Sequence, residues 1–484
     1  MSKDHNSLTA TREGSRASWE SADRIRWTLA NLVSRALSGQ SGSEIFAPDE
    51  VVPRVVRIEL PAGRQDPLLW LREQRDAPKT YWSGREDSVE VAAAGMADVH
   101  EGEGSEDPAD LRKSLSPLLS SGDPRLRYYG GLRFDPSRAS DAGWRAFGAY
   151  RFVLPRFELI SRHGETTLAC NLVLPRDADN REEILEQIEK LTFDYEGPDD
   201  VLSALECRVD APNLTGWTMK IDQALEDFES GKLDKAVLAR RTVLAFEDEV
   251  DPALLARNLK AVTPDCFHFY FEPEGGTAFL GASPERLFRR EGNRIVSEAV
   301  AGTRPRGTSE DDDLGLREEL LSSEKDHAEH EYVRTSIRES LAPLCDDLKV
   351  EDRATEMKLT RRRHMVSGVR GTLREGVSDA DILDALHPTP AVGGYPREEA
   401  MQEIRSLEPF DRGWYSGPVG WIGAAAAEFA VGIRCGLVSG RRLALFSGAG
   451  IVAGSTAEDE WDEIEQKIGD FTRILGLGPE DATS

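Results

Sequence analysis

Residues Ser447–Ile468 read SGAGIVAGSTAEDEWDEIEQKI. The glycine-rich front lets main chain approach a ligand closely and turn N–H groups toward an anion. The back half reads as a helix loaded with carboxylates, which repel an anion and attract a cation. A ligand that suits both halves is an anion that arrives with, or onto, a divalent cation. A strand, a glycine run and a helix also make up a dinucleotide site, but that site needs a second strand after the helix, carrying an acid for the ribose. Here the helix ends near Leu475 and only a short polar tail follows, so the stretch closes a different fold.

The segments before it have an antiparallel texture. GWYSGPVGWIG, EFAVGIRCGLVSG and RRLALFSGAGIVAG read as three strands, and FHFYFEPEGGTAFLGASPERLFRREGNRIVSEAV as three more with glycine turns. KAVLARRTVLAF, from Lys235, is a long strand. TMKIDQALEDFESGKL is a helix with an apolar stripe through Met219, Ile221, Leu225 and Phe228, closed by Gly231. SEKDHAEHEYVRTSIRESLAPL is an amphipathic helix, and DADILDALHPTPAVGGYP a helix stopped by a Pro/Gly loop. Clusters of strands with long helices between them indicate α+β. The expected organisation is a disordered tail at 1–20 and an N-terminal portion at 21–205. Within that portion 101–124 is a Gly/Ser/Pro/acid-rich excursion, and a catalytic region at 206–475 and a polar tail at 476–484 follow.

Sixty Lys and Arg against 87 Asp and Glu give a net charge of −27. That excludes nucleic acid and an anionic membrane surface as principal partners, so an anionic substrate has to be held by a local positive cluster or a metal. Five scattered cysteines without a CxxC pair argue against a disulfide framework or thiolate zinc site and for a reducing compartment. With no apolar core at the N-terminus and no membrane-length apolar run, the expected location is cytoplasmic.

The chain lacks a P-loop, and His327 and His330 lack the HExxH spacing of a zinc helix. Asp326 and Glu329 share one helical face, and Glu460 and Glu463 another, with Lys467 one turn on. The plain reading is two solvated faces and an i,i+4 Glu–Lys pair. The other is a magnesium site, because a few carboxylates and waters suit Mg²⁺ when a substrate oxygen completes the shell. Lys235 opens an apolar strand, where burial and nearby cations would depress its pKa and make it a base. Glu285, in a tight turn after a strand, would be raised by desolvation and become an acid.

Together KAVLARR, GASPERL, EAVAGTRPRG, KDHAEHEYV, LHPTPAVGG, YSGPVGWI, VGIRC and the opening stretch resemble, in family order, the chorismate-binding enzymes. YYGGLRFD and FVLPRFELI resemble that family's N-terminal sheet. The resemblance implies an α+β fold of two stacked antiparallel sheets flanked by helices, with chorismate between them. It implies Glu329 and Glu463 as Mg²⁺ ligands with Asp326 and Glu460 nearby, and Lys235 and Glu285 as base and acid. Tyr415, Arg434, Lys467 and the amides of Gly448, Ala449 and Gly450 would hold carboxylates, and Thr303, His364 and Ala391 would line the pocket. Met365 departs from the usual Leu.

Within the family, aminating members of one large class carry a ring-attacking lysine where this chain has Ala301, and anthranilate- and salicylate-forming members commonly have Thr at Ala391. HPTPAVGG is the form of the isochorismate-forming branch. No tryptophan-feedback motif is present, no glutaminase subunit is expected, and relatives of this type are often monomers. The expected reaction is chorismate to isochorismate, the menaquinone type being the most similar. The alternatives are salicylate formation with pyruvate elimination, a siderophore-pathway enzyme, and a non-catalytic chorismate-binding subunit.

Overall fold

The computed structural model describes residues 13–38, 53–86, 89–103, 117–119, 123–195 and 204–477. Among the described residues every strand pairing is antiparallel, and the strands form one hydrogen-bonded network of 20. It divides into two layers because two long strands, Val89–Gly102 and Tyr150–Arg162, run through both. A register shift between Met96 and Asp98 marks the change of layer. On one side of it the order continues through Lys79–Ser83, Phe267–Glu274, Thr277–Ser283, Cys435–Ser439 and Arg442–Ile451 to Lys235–Phe246. On the other side it runs through Arg127–Leu132, Pro418–Gly423, Ala426–Val431, Arg286–Glu291 and Arg294–Pro305 to Arg362–Leu373. Strands before and after residue 206 thus share the same sheets.

Between the layers lies an aromatic core of Trp82, Tyr129, Trp144, Phe147, Phe269, Phe279, Trp414 and Phe446. Trp144 meets Phe147 and Phe279 edge-on at 5.3 and 5.2 Å, the geometry aromatic quadrupoles favour. The outer faces are closed by helices. Glu324–Leu341 packs Val333, Ile337 and Leu341 on one layer, and Ala457–Ile474 packs Ile464 and Ile468 on the other side of the cleft.

In its second half the chain makes two direct strand-to-strand crossings between the layers. It leaves strand Thr277–Ser283 and re-enters the other layer at Arg286, and it returns between Val431 and Cys435. The crossings lie side by side: Val431 N–H donates to Glu285 O at 3.1 Å, and Ala282 N–H to Arg434 O at 3.0 Å. They correct the strand count. The stretch from Phe267 holds four strands, not three, and Pro418–Ile451 also holds four.

Two other expectations change. Residues 1–12 lie outside the described residues, but from Glu13 the chain is helical, inside the stretch expected to be a disordered tail. Met219, placed on the apolar stripe of its helix, is 68% exposed; the buried residues there are Trp217, Ile221 and Ala224. Most of the 101–124 excursion and residues 478–484 lie outside the described residues. Among the described residues no helix is long and apolar enough to cross a membrane.

Candidate active site

A cavity of about 210 Å³ opens where the crossings, the two layers and the two helices meet. Glu285, Thr303, Asp326, Glu329, His364, Ala391, Tyr415, Arg434, Gly448, Gly450, Glu463 and Lys467 all line it. The residues that sequence reading missed on its wall include Arg304, Lys325 and Phe446. Lys325 precedes Asp326 and Arg304 follows Thr303, so adjacency to a candidate was the available signal.

The crossings explain how two charged residues enter an apolar interior. Glu285 and Arg434 occupy the corners where strand pairing is interrupted, and Arg434 adopts φ +49, a left-handed conformation that costs energy for a side-chain-bearing residue. Burial pushes the Glu285 carboxyl up to about 8, against the opposing pull of Lys235, Lys467 and Arg434. The acid form expected of this residue is therefore its state near neutrality.

Lys235 is fully buried at the start of its strand and stands one contact behind the cavity wall. Its Nζ lies 2.7 Å from Glu329 Oε1. The group in direct contact is thus an anion, while Lys467 and Arg434 stand on the adjoining cavity.

Glycine leaves needed space at two wall positions, where a Cβ would make its neighbours shift. A Cβ at Gly450 would stand 3.0 Å from Glu329 Oε1 and 3.1 Å from Lys235 Cε, and one at Gly448 would stand 2.9 Å from the Tyr415 hydroxyl. The glycine run is strand rather than loop. It is the end of strand Arg442–Ile451, paired with Lys235–Phe246 throughout. Pairing on its other side stops at Phe446, so that edge beyond Phe446 carries no strand partner. Ala449 does not line the cavity: strand alternation turns its methyl into the core.

His364 is held by groups that define its tautomer. Arg434 Nη2, which can only donate, lies 3.3 Å from His364 Nε2, so Nε2 accepts and the proton sits on Nδ1. Nδ1 then faces Thr303 Oγ1 at 2.9 Å and Gly302 O at 3.2 Å. Burial and the Arg434 charge hold His364 well below the ordinary histidine range. Tyr415 stacks on Phe446, ring centroids 5.5 Å apart.

The carboxylates divide by environment. Glu463 Oε1 meets Lys467 Nζ at 2.6 Å, and that lysine lowers its pKa; Lys467 also donates to Gly448 O at 2.9 Å. Asp326 accepts from Arg304 Nη2 at 2.9 Å. Glu460 lies off the cavity, buried and raised by desolvation, accepting from Ser455 Oγ at 2.7 Å. Glu329 and Glu463 offer only hard oxygen donors from facing helices. Among the described residues no three His, Cys, Asp or Glu groups cluster tightly enough to hold a metal alone. This donor chemistry fits an ion such as Mg²⁺, which keeps several waters and takes substrate oxygens. His327 and His330 are no metal pair: Nε2 of each faces a carbonyl, of Leu321 at 2.9 Å and Ala299 at 3.2 Å.

On the wall Arg304, Lys325, Arg434 and Lys467 face Asp326, Glu329, Glu463 and Glu285. With Glu285 protonated, four cations against three anions leave the cavity locally positive in a chain of net charge −27.

The model of the chorismate binding enzyme family matches residues 46–476. The chain belongs to the chorismate-binding enzymes. It is 33% identical over 455 residues to isochorismate synthase 2, chloroplastic, of Arabidopsis thaliana, covering 87% of this chain and 80% of that one. It is 31% identical over 426 residues to the salicylate biosynthesis isochorismate synthase of Pseudomonas aeruginosa, covering 83% and 86%. The solved structure of MenF, the menaquinone-specific isochorismate synthase of Escherichia coli, superposes with a TM-score of 0.78 at 29% identity, over 93% of this chain and all of that one.

Proposed function

We propose that the protein is an isochorismate synthase, which interconverts chorismate and isochorismate with Mg²⁺, and that it acts in menaquinone synthesis. The observation that carries the chemistry is a carboxylic acid kept protonated near neutrality, Glu285, on the same cavity as the Lys235–Glu329 pair. Lys235, as the neutral amine, takes a proton from water as its oxygen bonds to ring C2, and is left as the ammonium beside Glu329. Glu285 gives its proton to the C4 hydroxyl, which leaves as water while the ring double bonds shift. One water enters and one departs, so the step is an isomerisation. Run backwards, the two groups exchange roles.

Glu329 and Glu463 would hold Mg²⁺, with Asp326 and Glu460 nearby. The bound ion would supply Lewis-acid anchoring of the ring carboxylate and offset developing charge. Arg434, Tyr415 and Lys467 face the cavity as partners for substrate carboxylates, and Thr303, His364 and Ala391 shape the wall. The menaquinone assignment is supported by similarity to the Escherichia coli enzyme over nearly the whole chain.

The test is product analysis after purified protein meets chorismate and Mg²⁺ without ammonia or glutamine. Isochorismate alone, approaching equilibrium and lost with EDTA, is expected. Salicylate with pyruvate would replace the proposal by the eliminating reaction, and no turnover without an ammonia source would replace it by the aminating one.

A further inference from the structure

A second group of charges lies behind the cavity, on the far flank of the helix that carries Glu463 and Lys467. Glu465 is two residues from each, about 200° around the helix from Glu463 at 3.6 residues per turn. Its carboxylate accepts from Arg240 Nη2 at 2.6 Å and from both terminal nitrogens of Arg208. Arg240 belongs to the strand that Lys235 opens, pairs across the sheet with Ser447, and its guanidinium covers the Trp461 ring at 4.0 Å. Asp210, on the neighbouring strand, accepts from Arg208 Nε at 3.1 Å and lies 3.5 Å from Arg240 Nε.

Stability does not account for Arg240. Its side chain is fully buried, its Nε and Nη1 make no hydrogen bond among the described residues, and desolvation lowers its pKa. A buried ion pair generally gains little over a well-packed apolar pair, and orphaned donors make it worse. What the contact does supply is registration. Trp217 Nε1 donates to Ala457 O at 3.2 Å and anchors the start of the helix, while Glu465 fixes its rotation against the Lys235 strand.

We infer that Arg240 is a positioning residue: through Glu465 and Trp461 it sets the rotation of helix Ala457–Ile474, and with it the placement of Glu463 and Lys467 relative to Lys235. This rests on the reading of those three residues as site residues. In that geometry a buried cation is retained for where it places the helix.

Arg240→Met tests it, because Arg208 remains to neutralise Glu465 and the apolar side chain fits the volume. A misplacement on the order of 1 Å is worth about a hundredfold in rate. Arg240→Met is therefore expected to lose at least about tenfold in kcat and to need about tenfold more Mg²⁺ for half-saturation, with chorismate KM changed less than about threefold and the melting temperature unchanged or raised. Arg240→Lys should recover part of the kcat. Unchanged kcat and Mg²⁺ requirement in Arg240→Met overturns the inference, as does a loss that tracks a lowered melting temperature and vanishes on cooling. Lys235→Ala, run alongside, separates the two readings. If it is inactive while Arg240→Met is normal, only this inference falls; if it turns over normally, the site assignment falls.

Discussion

Replacing Glu285 by Gln isolates the effect of burying a carboxyl at the corner between the two sheets. In the native protein its pKa is about 8, against 4.5 ordinarily, and burial is the largest cause. Between those values the native state holds a proton that the unfolded chain has released, so stability falls as pH rises through the window and the loss is complete above about pH 8. The gap between about 8 and 4.5, at about 1.4 kcal/mol per pH decade, bounds the loss at about 5 kcal/mol. Glutamine has nearly the same shape and does not titrate. Urea unfolding of both proteins at fixed ionic strength should therefore give stabilities whose difference is smallest near about pH 5, widens in favour of the variant, and levels off above about pH 8. Isomerase activity should move the other way. The wild type should lose kcat/KM with an alkaline limb near about pH 8 as the acid form disappears, and the variant should be inactive at every pH. Parallel stability curves from about pH 5 to about pH 9 would show that Glu285 ionises normally, and the reasoning would be refuted.

Glu463→Gln should raise the Mg²⁺ concentration for half-activity by about tenfold or more, read by titrating the metal at saturating chorismate. An unchanged titration would remove Glu463 from the metal site. Gly450→Ala should cut kcat by more than about tenfold with little change in melting, since its Cβ would crowd Glu329 and Lys235. Gly448→Ala, crowding the Tyr415 hydroxyl, should raise KM instead; steady-state kinetics distinguishes the two. Far from the cavity, Asp177→Ala would strand the buried Arg156, which Asp177 neutralises, and should cost about 3–5 kcal/mol in urea unfolding while kcat of the folded enzyme holds.

The sequence carried elements with strong periodicity and the motifs on them. Lys235–Phe246 was legible as a strand because apolar and β-branched residues run on both sides of Arg240 and Arg241 with no turn residue between, and its observed ends coincide with the quoted segment. The two crossings were not legible. In GASPERLF a turn at Glu285 is readable but not the change of layer it makes, and in FAVGIRCGLV apolar residues stand on both sides of the break, so period-two reading runs straight through. A corner that moves a strand between layers depends on what each half pairs with, and those partners are far away: Thr277–Ser283 pairs with Cys435–Ser439, whereas Arg286–Glu291 pairs with Ala426–Val431. The residues whose placement depends on these corners, Glu285 and Arg434, were identifiable by motif, but the reason for their burial was not. Lys235 shows the same limit, since its strand was readable and the anion beside it, Glu329, lies 94 residues away.

The corners also account for how a chain with an excess of 27 negative charges can present a cavity suited to an anion. Strand interiors favour apolar side chains, so most of the wall charge enters where pairing lapses or where a helix reaches over the edge, Arg304 being the exception on a paired strand. Here the crossings deliver Glu285 and Arg434, the end of Arg442–Ile451 that is paired on one side only meets Lys467, and helix Glu324–Leu341 brings Lys325. Burial then neutralises Glu285, the carboxylate that crossing brings in, and tips the wall to a positive balance. The desolvation that makes Glu285 an acid therefore also contributes to anion binding. Deprotonating it should weaken chorismate binding as well as slow turnover, so kcat/KM should fall with its limb near about pH 8 while the limb of kcat stands at higher pH, because bound substrate holds the proton on. Coincident limbs for the two would mean that the Glu285 charge is not felt by the bound substrate.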